Sequence, residues 1–185
     1  GTIVLLAKSL RYCQVIVGEN FSEEERFLQI MDQYQPILLY PGENANILNH
    51  QGLVQFNEII QQSNDSENNV RISKTSQIMS KPICLVVLDG TWKKAYRMYM
   101  LSTNLQQLPQ VCLPDYLANC GQYHIRKVAK KNALSSLEAS CYALALLEQG
   151  SDTFKISPNN AGKYQTLLNK FQQFNQFQLS FRPDH

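Results

Sequence analysis

The segment Asp89-Gly90-Thr91-Trp92 combines a carboxylate, a glycine, a hydroxyl group and the only tryptophan of the chain. It follows directly after the continuous apolar run 83–88. A carboxylate fixed at such a point can accept a proton or orient a polar substrate. Aspartate is also a favoured helix N-cap, and Thr91 could cap the same helix. Catalysis and capping are therefore both open for Asp89, and the indole of Trp92 could contact a ligand or anchor the helix in the core.

Two further segments place glycine or polar residues where an apolar pattern begins or ends. Leu39-Tyr40-Pro41-Gly42-Glu43 closes the apolar run 36–40, and Leu134-Ser135-Ser136 precedes a helical pattern. Glycine permits close backbone approach, and a helix N-terminus attracts anions. Ser135 and Glu138 have the spacing of a capping box, which we favour over a catalytic role for Glu138.

These segments belong to an alternating pattern of strands and helices. The run 83–88 is unbroken by polar residues, which predicts a strand covered on both faces of a parallel sheet. Further strands are predicted near 36–40, 111–113 and 123–128, with helices at 92–100 and 135–149. We therefore predict an α/β fold with a mainly parallel sheet flanked by helices. Ligands of such sheets bind beyond the carboxyl ends of the strands.

The remaining predictions concern the two ends of the chain and one polar stretch. Ser22 is a candidate cap for a helix through Met31. The region 61–81 is polar and predicts a long exposed loop. A final amphipathic helix contains apolar residues at three- and four-residue spacing, which we assign to the core. These residues are Tyr164, Leu167, Leu168, Phe171, Phe174 and Phe177.

Length and composition are those of an ordinary folded protein. The 185 residues suit a single domain spanning 1–185, and no apolar run is long enough to cross a bilayer. Five cysteines without a Cys-x-x-Cys pair indicate neither a disulfide framework nor a metal site, so we predict no metal. We expect these thiols to act as small buried hydrophobic groups. This cysteine usage favours a cytoplasmic protein.

The positive charges are clustered although the net charge is only +2. Two local basic groups could follow a phosphate backbone, or could equally be a solvated helix face and a loop. They consist of Lys93, Lys94 and Arg97, and of Arg126, Lys127, Lys130 and Lys131. For His124, close to the second group, we favour a structural role.

Three of these segments together resemble the DTW-domain family. Asp89-Gly90-Thr91-Trp92 is similar to the Asp-x-Thr-Trp signature, and Tyr40-Pro41-Gly42-Glu43 to a Tyr-Pro-Gly-Glu segment. Arg126 and the stretch 134–139 resemble the family's Arg and Leu-Ser-Thr-Leu-Glu-Ala segments. The three occur in family order, which makes the resemblance far more specific than one four-residue motif. Family members usually begin with a cysteine-rich segment and an Asn-Thr-Gly stretch, so we expect a natural segment before Gly1.

The resemblance implies a fold related to the knotted SPOUT methyltransferases, with a trefoil knot. It implies S-adenosylmethionine as cofactor, tRNA as partner, and transfer of the 3-amino-3-carboxypropyl group to N3 of a uridine. Asp89 would be the catalytic base or a positioning carboxylate, and the basic groups above would bind RNA. The cofactor would contact Leu39, Tyr40, Pro41, Gly42, Glu43, Leu88, Gly90, Thr91, Trp92, Arg126, Leu134, Ser135 and Ser136.

Other functions remain open at this stage. An RNA methyltransferase would release S-adenosylhomocysteine instead of methylthioadenosine, and an aminocarboxypropyltransferase could act on ribosomal RNA. A non-catalytic RNA-binding module would retain tRNA without the cofactor. A dinucleotide-binding enzyme is disfavoured because no Gly-x-Gly-x-x-Gly follows a strand. Monomer and homodimer are equally compatible with the sequence.

Overall fold

The chain forms a four-stranded sheet accompanied by helices, in a computed structural model that describes residues 2–49, 51–53, 55, 58, 81–120, 134–150 and 155–180. The strands are β1 (Gln35–Leu39), β2 (Asn46–Ile47), β3 (Ile83–Val87) and β4 (Gln110–Cys112). The helices are α1 (Thr2–Ser9), α2 (Glu25–Gln33), α3 (Trp92–Leu101), α4 (Thr103–Gln106), α5 (Asp115–Ala118), α6 (Ser136–Gln149) and α7 (Gln165–Ser180). A 3₁₀ turn at Gly162–Tyr164 leads into α7.

The strands pair in the order β2-β4-β1-β3, and all three pairings are parallel. In this register Leu39, the last residue of β1, lies opposite Val87 of β3 and Val111 of β4. The carboxyl ends of these strands therefore meet at one edge of the sheet. The prediction of a parallel sheet flanked by helices is confirmed.

The most buried strand is β1, not β3. Pro36, Ile37 and Leu38 are buried, whereas Ile83 is exposed and the rest of β3 is half-buried. The prediction that 83–88 is covered on both faces is therefore wrong in degree. Among the described strands β3 lies at the end of the sheet, where a strand has a neighbour on one side only.

Helices cover both faces of the sheet. Neighbouring residues of β1 point to opposite faces, and each packs against a different set of helices. Ile37 packs in a core cluster with Val111 and with Leu137 of α6. That cluster also receives residues of α1 and α7. Leu38 packs in a second cluster with Phe27 of α2, joined by residues of α3 and α4. The central strand thus connects two helical layers.

The start of α2 differs from the prediction. Glu24 is the N-cap, and its carboxylate accepts a hydrogen bond from the backbone N–H of Phe27 at 2.8 Å. The prediction that Ser22 caps this helix is therefore wrong. Its hydroxyl oxygen accepts from the backbone N–H of Thr103 at 3.1 Å, so the side chain ties the α2 entry to α4.

The final helix buries only part of its predicted apolar face. Phe171 and Leu168 are buried in the first core cluster, as is Tyr164 in the preceding 3₁₀ turn. Phe174 and Phe177 are 48% and 62% exposed, so their assignment to the core is wrong. The helical spacing continues past the part of α7 that packs against α6.

All five cysteines are free thiols. Only Cys141 is fully buried, and the other four are half-buried. Burial raises the pKa of the Cys141 thiol to about 12 because a thiolate would lose its hydration. The expectation of small buried hydrophobic groups is therefore confirmed in full for Cys141 alone.

Some predictions fall outside the described residues. The strand near 123–128 and all of the polar stretch 61–81 except Lys81 lie there. Within the part that the structure does describe, no helix combines the length and apolar character that a membrane span requires.

Candidate functional site

The carboxylate of Asp89 lies two residues beyond the end of β3 and is half-buried. Its Oδ1 accepts a hydrogen bond from the Ser136 hydroxyl at 2.6 Å, across 47 residues of sequence. Ser136 is the first residue of α6. This short bond joins two of the three segments singled out in the sequence and fixes the orientation of the Asp89 carboxylate.

Thr91, not Asp89, caps the helix that follows. The Thr91 hydroxyl accepts from the backbone N–H of Lys94 at 3.3 Å, and α3 begins at Trp92. Of the two candidate caps for this helix, Thr91 is the one used. Asp89 therefore does not cap α3, and its carboxylate bonds to Ser136 of α6 instead.

Gly90 makes the turn between Asp89 and the helix possible. Its φ of +151° is rarely adopted by residues with a side chain. A Cβ there would also approach the Cβ of Lys94 to 3.1 Å. The glycine therefore sets the direction of the carboxylate relative to α3.

The third segment, around Tyr40, lies at the same sheet edge. The backbone N–H of Tyr40 bonds to the Val111 carbonyl at 3.0 Å, which continues the sheet pairing by one residue. The ring of Tyr40 stacks on Tyr99 of α3, with centroids 4.8 Å apart and an interplanar angle of 11°. Burial, with the nearby phenols Tyr99 and Tyr96, raises the pKa of Tyr40, so its hydroxyl stays protonated.

Gly42 lies against the side chain of Gln110, so closely that any Cβ would collide with the amide oxygen. The same Gln110 amide donates a hydrogen bond to the Tyr99 hydroxyl at 2.8 Å. Gln110, Tyr99 and Tyr40 therefore form a chain of contacts that sets the position of the loop.

The predicted site residues adjoining these loops divide between core and surface. Leu39 and Leu134 are half-buried against the first core cluster, and Leu88 against the second. Pro41 and Glu43 are exposed. The three leucines therefore support the loops from beneath, while Pro41 and Glu43 remain accessible.

Ser135 and Glu138 form the predicted capping box. The Ser135 hydroxyl accepts from the Glu138 backbone N–H at 3.2 Å, and the Glu138 carboxylate accepts from the Ser135 backbone N–H at 2.8 Å. Both residues are buried. The structural role of Glu138 is confirmed, and the box fixes the first turn of α6, from which Ser136 reaches Asp89.

Trp92 does not anchor α3 in the core, because its side chain is 62% exposed. Lys93, Lys94 and Arg97 are also exposed. Arg97 pairs with Glu19 at 3.0 Å, in a surface ion pair whose members are both about two-thirds solvated. The second basic group lies outside the described residues, together with His124: Arg126, Lys127, Lys130 and Lys131.

Sequence reasoning missed Tyr99 and Gln110. The available signal was weak: Tyr99 follows the helical spacing of α3, and Gln110 precedes an apolar strand. Neither residue type at such a position indicates contact with a loop 60 or 70 residues earlier. Their role emerges only from the pairing of β4 with β1.

Other features of the described regions do not compete with this site. A cavity of about 560 Å³ is lined by residues at the end of α1, in the 3₁₀ turn and at the start of α7, and contains none of the predicted site residues. In the same regions, no group of three or more His, Cys, Asp or Glu side chains is arranged to hold a metal ion. The candidate site is instead the place where the loops after β1 and β3 meet the start of α6.

The parallel sheet and the Asp-Gly-Thr-Trp turn at its carboxyl edge define the class of protein. The chain belongs to the DTW domain family, whose model matches residues 1–179.

Similar curated proteins carry one common name. The chain is 29% identical to tRNA-uridine aminocarboxypropyltransferase 2 of Mus musculus, over 96% of the chain and 49% of the relative. It is 27% identical to the protein of that name from Macaca fascicularis, with the same coverage, and 28% identical to one from Drosophila melanogaster, over 74% of the chain and 45% of the relative. The chain thus spans about half the length of these relatives. No solved structure matches it significantly.

Proposed function

We propose that this protein transfers the 3-amino-3-carboxypropyl group of S-adenosylmethionine to N3 of a uridine in tRNA, releasing methylthioadenosine. Membership of the DTW domain family and the name shared by the three relatives support the reaction class. The observation that carries the proposal is the 2.6 Å bond between Ser136 and Asp89, at the sheet edge where the loop segments converge.

The residues at this edge fit a small zwitterionic donor. Gly42 and Gly90 lack side chains where a Cβ would meet Gln110 or Lys94, so the two loops keep the paths that bring them to this edge. The N-terminus of α6 carries a partial positive charge suited to the carboxylate of the donor's arm. We propose that the Arg126 guanidinium also binds the carboxylate of the donor's arm, through two parallel hydrogen bonds.

The reaction forms a bond between uridine N3 and the γ-carbon of the arm and breaks the bond from that carbon to sulfur. The sulfonium supplies a good leaving group, and the electron pair departs with methylthioadenosine. The N3 proton must go to a base, for which we propose Asp89. General base catalysis contributes typically about 10²–10⁴-fold.

Ser136 is proposed as a positioning residue for that base. Its hydroxyl donates to Oδ1 of Asp89, and we propose that Oδ2 faces the substrate. Because the Thr91 hydroxyl accepts from the Lys94 backbone N–H, Asp89 is not needed as the cap of α3. Holding the base in line with N3 contributes through proximity.

For the fold we propose the SPOUT-related arrangement with a trefoil knot that the family resemblance implies. The parallel sheet and the two helical layers are compatible with it. Cross-linking or circularisation followed by unfolding would test the knot, because a knotted chain stays more compact than an unknotted one of equal length.

The test of function is incubation of the purified protein with unmodified tRNA and S-adenosylmethionine, followed by mass spectrometry of the nucleosides and of the small-molecule product. We expect aminocarboxypropyluridine and methylthioadenosine. Asp89→Asn keeps the shape of the side chain and removes its basicity, so product formation should fall by about 10²-fold or more.

Other products would point elsewhere. S-adenosylhomocysteine would replace the proposal with a methyltransferase, and modification of ribosomal RNA alone would change the substrate. Undiminished activity of Asp89→Asn would remove Asp89 as the base.

A further inference from the structure

Helix α3 exposes a stripe of large side chains that the proposed reaction does not use. Trp92, Tyr96 and Met100 are spaced by four residues and therefore lie on one side of the helix. Their side chains are 62%, 57% and 51% exposed. On the adjoining side of the helix, next to Trp92, Ala95 is buried, and Met98 and Tyr99 pack against the second core cluster. The stripe is thus an outward face of a helix that is anchored in the core along a neighbouring face.

The charge of the helix indicates what this stripe contacts. Lys93, Lys94 and Arg97 are exposed, and α3 contains no acidic residue. By helical geometry Lys93 and Arg97 lie along one flank of the stripe. The Arg97 pair with Glu19 is solvated and weak, so the guanidinium can exchange that partner for another anion at little cost. Aromatic side chains beside cations are suited to unstacked nucleic acid bases and their phosphates.

We propose that the stripe Trp92, Tyr96 and Met100 is a platform on which unpaired bases of the tRNA stack, with Lys93 and Arg97 binding the adjoining phosphates. The inference rests on the proposed tRNA substrate. It places Trp92 against RNA and separates it from the cofactor. Since α3 starts three residues after Asp89, bases next to the modified uridine would lie along the helix, over about 12 Å from Trp92 to Met100.

The exposed area favours RNA over a second copy of the chain. Three side chains that are about half exposed supply roughly 400 Å² or less. A stable protein interface requires about 800 Å² from each partner. Stacking of two or three bases needs no larger surface than the stripe provides.

The single tryptophan makes the platform directly observable. Unmodified tRNA should be titrated into the protein without S-adenosylmethionine, and Trp92 emission and the anisotropy of labelled tRNA recorded. We expect quenching of Trp92 at the concentrations at which tRNA binds. Tyr96→Ala should weaken binding about 5- to 100-fold, and Tyr96→Phe should bind like the wild type, because stacking needs the ring and not the hydroxyl.

Salt dependence distinguishes stacking from charge. Tyr96→Ala should weaken binding equally at all salt concentrations, whereas Lys93→Ala should reduce the slope of log affinity against log salt by about 1. Phe174→Ala removes a similarly exposed aromatic ring from α7 and should leave both affinity and slope unchanged.

Three results would overturn the platform. The first is tRNA binding by Tyr96→Ala that equals the wild type while aminocarboxypropyluridine still forms, which leaves the proposed function standing. The second is Trp92 emission that depends on protein concentration and not on tRNA, with dimers in sedimentation, which assigns the stripe to a second copy. The third is failure of the wild-type protein to bind tRNA, which removes the proposed function as well.

Discussion

At the scale of single residues, the bond between Ser136 and Asp89 can be tested apart from catalysis by Asp89 itself. Ser136→Ala removes the donor at 2.6 Å and lets the carboxylate rotate. We expect the rate of product formation to fall by about 10-fold, since misplacement of a catalytic group by about 1 Å can cost 10²-fold. The measurement is single-turnover formation of modified uridine.

Ser140→Ala is the matched control for this change. Ser140 lies one turn later on α6, and its hydroxyl donates to the Ser136 backbone carbonyl, not to Asp89. The Ser140→Ala variant should form the modified uridine at the wild-type rate. Equal losses in both variants would mean that general damage to α6, and not the position of Asp89, explains the effect.

Gly90 is expected to tolerate a side chain poorly, because a positive φ and a crowded Cβ coincide there. Gly90→Ala combines a φ of +151° with a crowded Cβ, so we expect a loss of about 2–3 kcal/mol in the free energy of unfolding. Gly150→Ala also places a side chain at positive φ (57°, with ψ −118°) but in open space, so it has backbone strain of about 1–3 kcal/mol without the crowding. Urea denaturation of the two variants measures the difference, and an equal cost would refute the role of crowding.

At the scale of elements, the two N-caps that frame the site should differ in strength. Ser135→Ala breaks a buried capping box, and we expect a loss of about 1–2 kcal/mol. Thr91→Ala removes an exposed single bond of 3.3 Å and should cost about 0.5–1 kcal/mol. Thermal or urea unfolding compares them, and a costlier Thr91→Ala would contradict this order.

Elements whose signals are local were predictable from the sequence. The capping box of α6, the turn after β3 and the end of β1 each depend on residues a few positions apart. The exposure of β3 and the contact of Gln110 with the loop after β1 depend on which strands become neighbours. Apolar periodicity contains no information on strand order, so these features required the structure.

The residues of the candidate site were predictable from the sequence, but their contacts were not. Its residues were found because three motifs resemble one family, and the sheet edge then brought them together. The sequence left open whether Asp89 or Thr91 caps α3, because both types favour that position. Only the geometry of the turn assigns the cap to Thr91 and pairs Asp89 with Ser136.

At the scale of the whole molecule, the buried thiol of Cys141 should make stability depend on alkaline pH. In the unfolded chain this thiol loses its proton near pH 9, whereas in the folded protein its pKa is about 12. The folded state then binds more protons, so the free energy of unfolding falls as pH rises from 9 towards 12. The loss attributable to Cys141 approaches about 1.4 kcal/mol per pH unit.

Cys141→Ala should therefore flatten the decline in urea midpoint between pH 8 and pH 10.5. Burial also raises the pKa of Tyr142 and Tyr164, whose contributions begin above pH 10 and remain in the variant. Cys13→Ala alters a half-buried thiol and should change the slope less. Parallel declines in wild type and Cys141→Ala would refute this assignment.

The order of the strands constrains how the chain assembles during synthesis. The central strand β1 has as its two partners β3 and β4, which follow it by more than 40 and more than 70 residues. The ribosome must therefore release a long stretch before either side of β1 can pair, and contacts so distant in sequence form slowly. Ser136 emerges later still. A nascent chain stalled before residue 110 lacks β4, so one side of β1, the most buried of the described strands, stays unpaired, and a chaperone would be needed most at that stage.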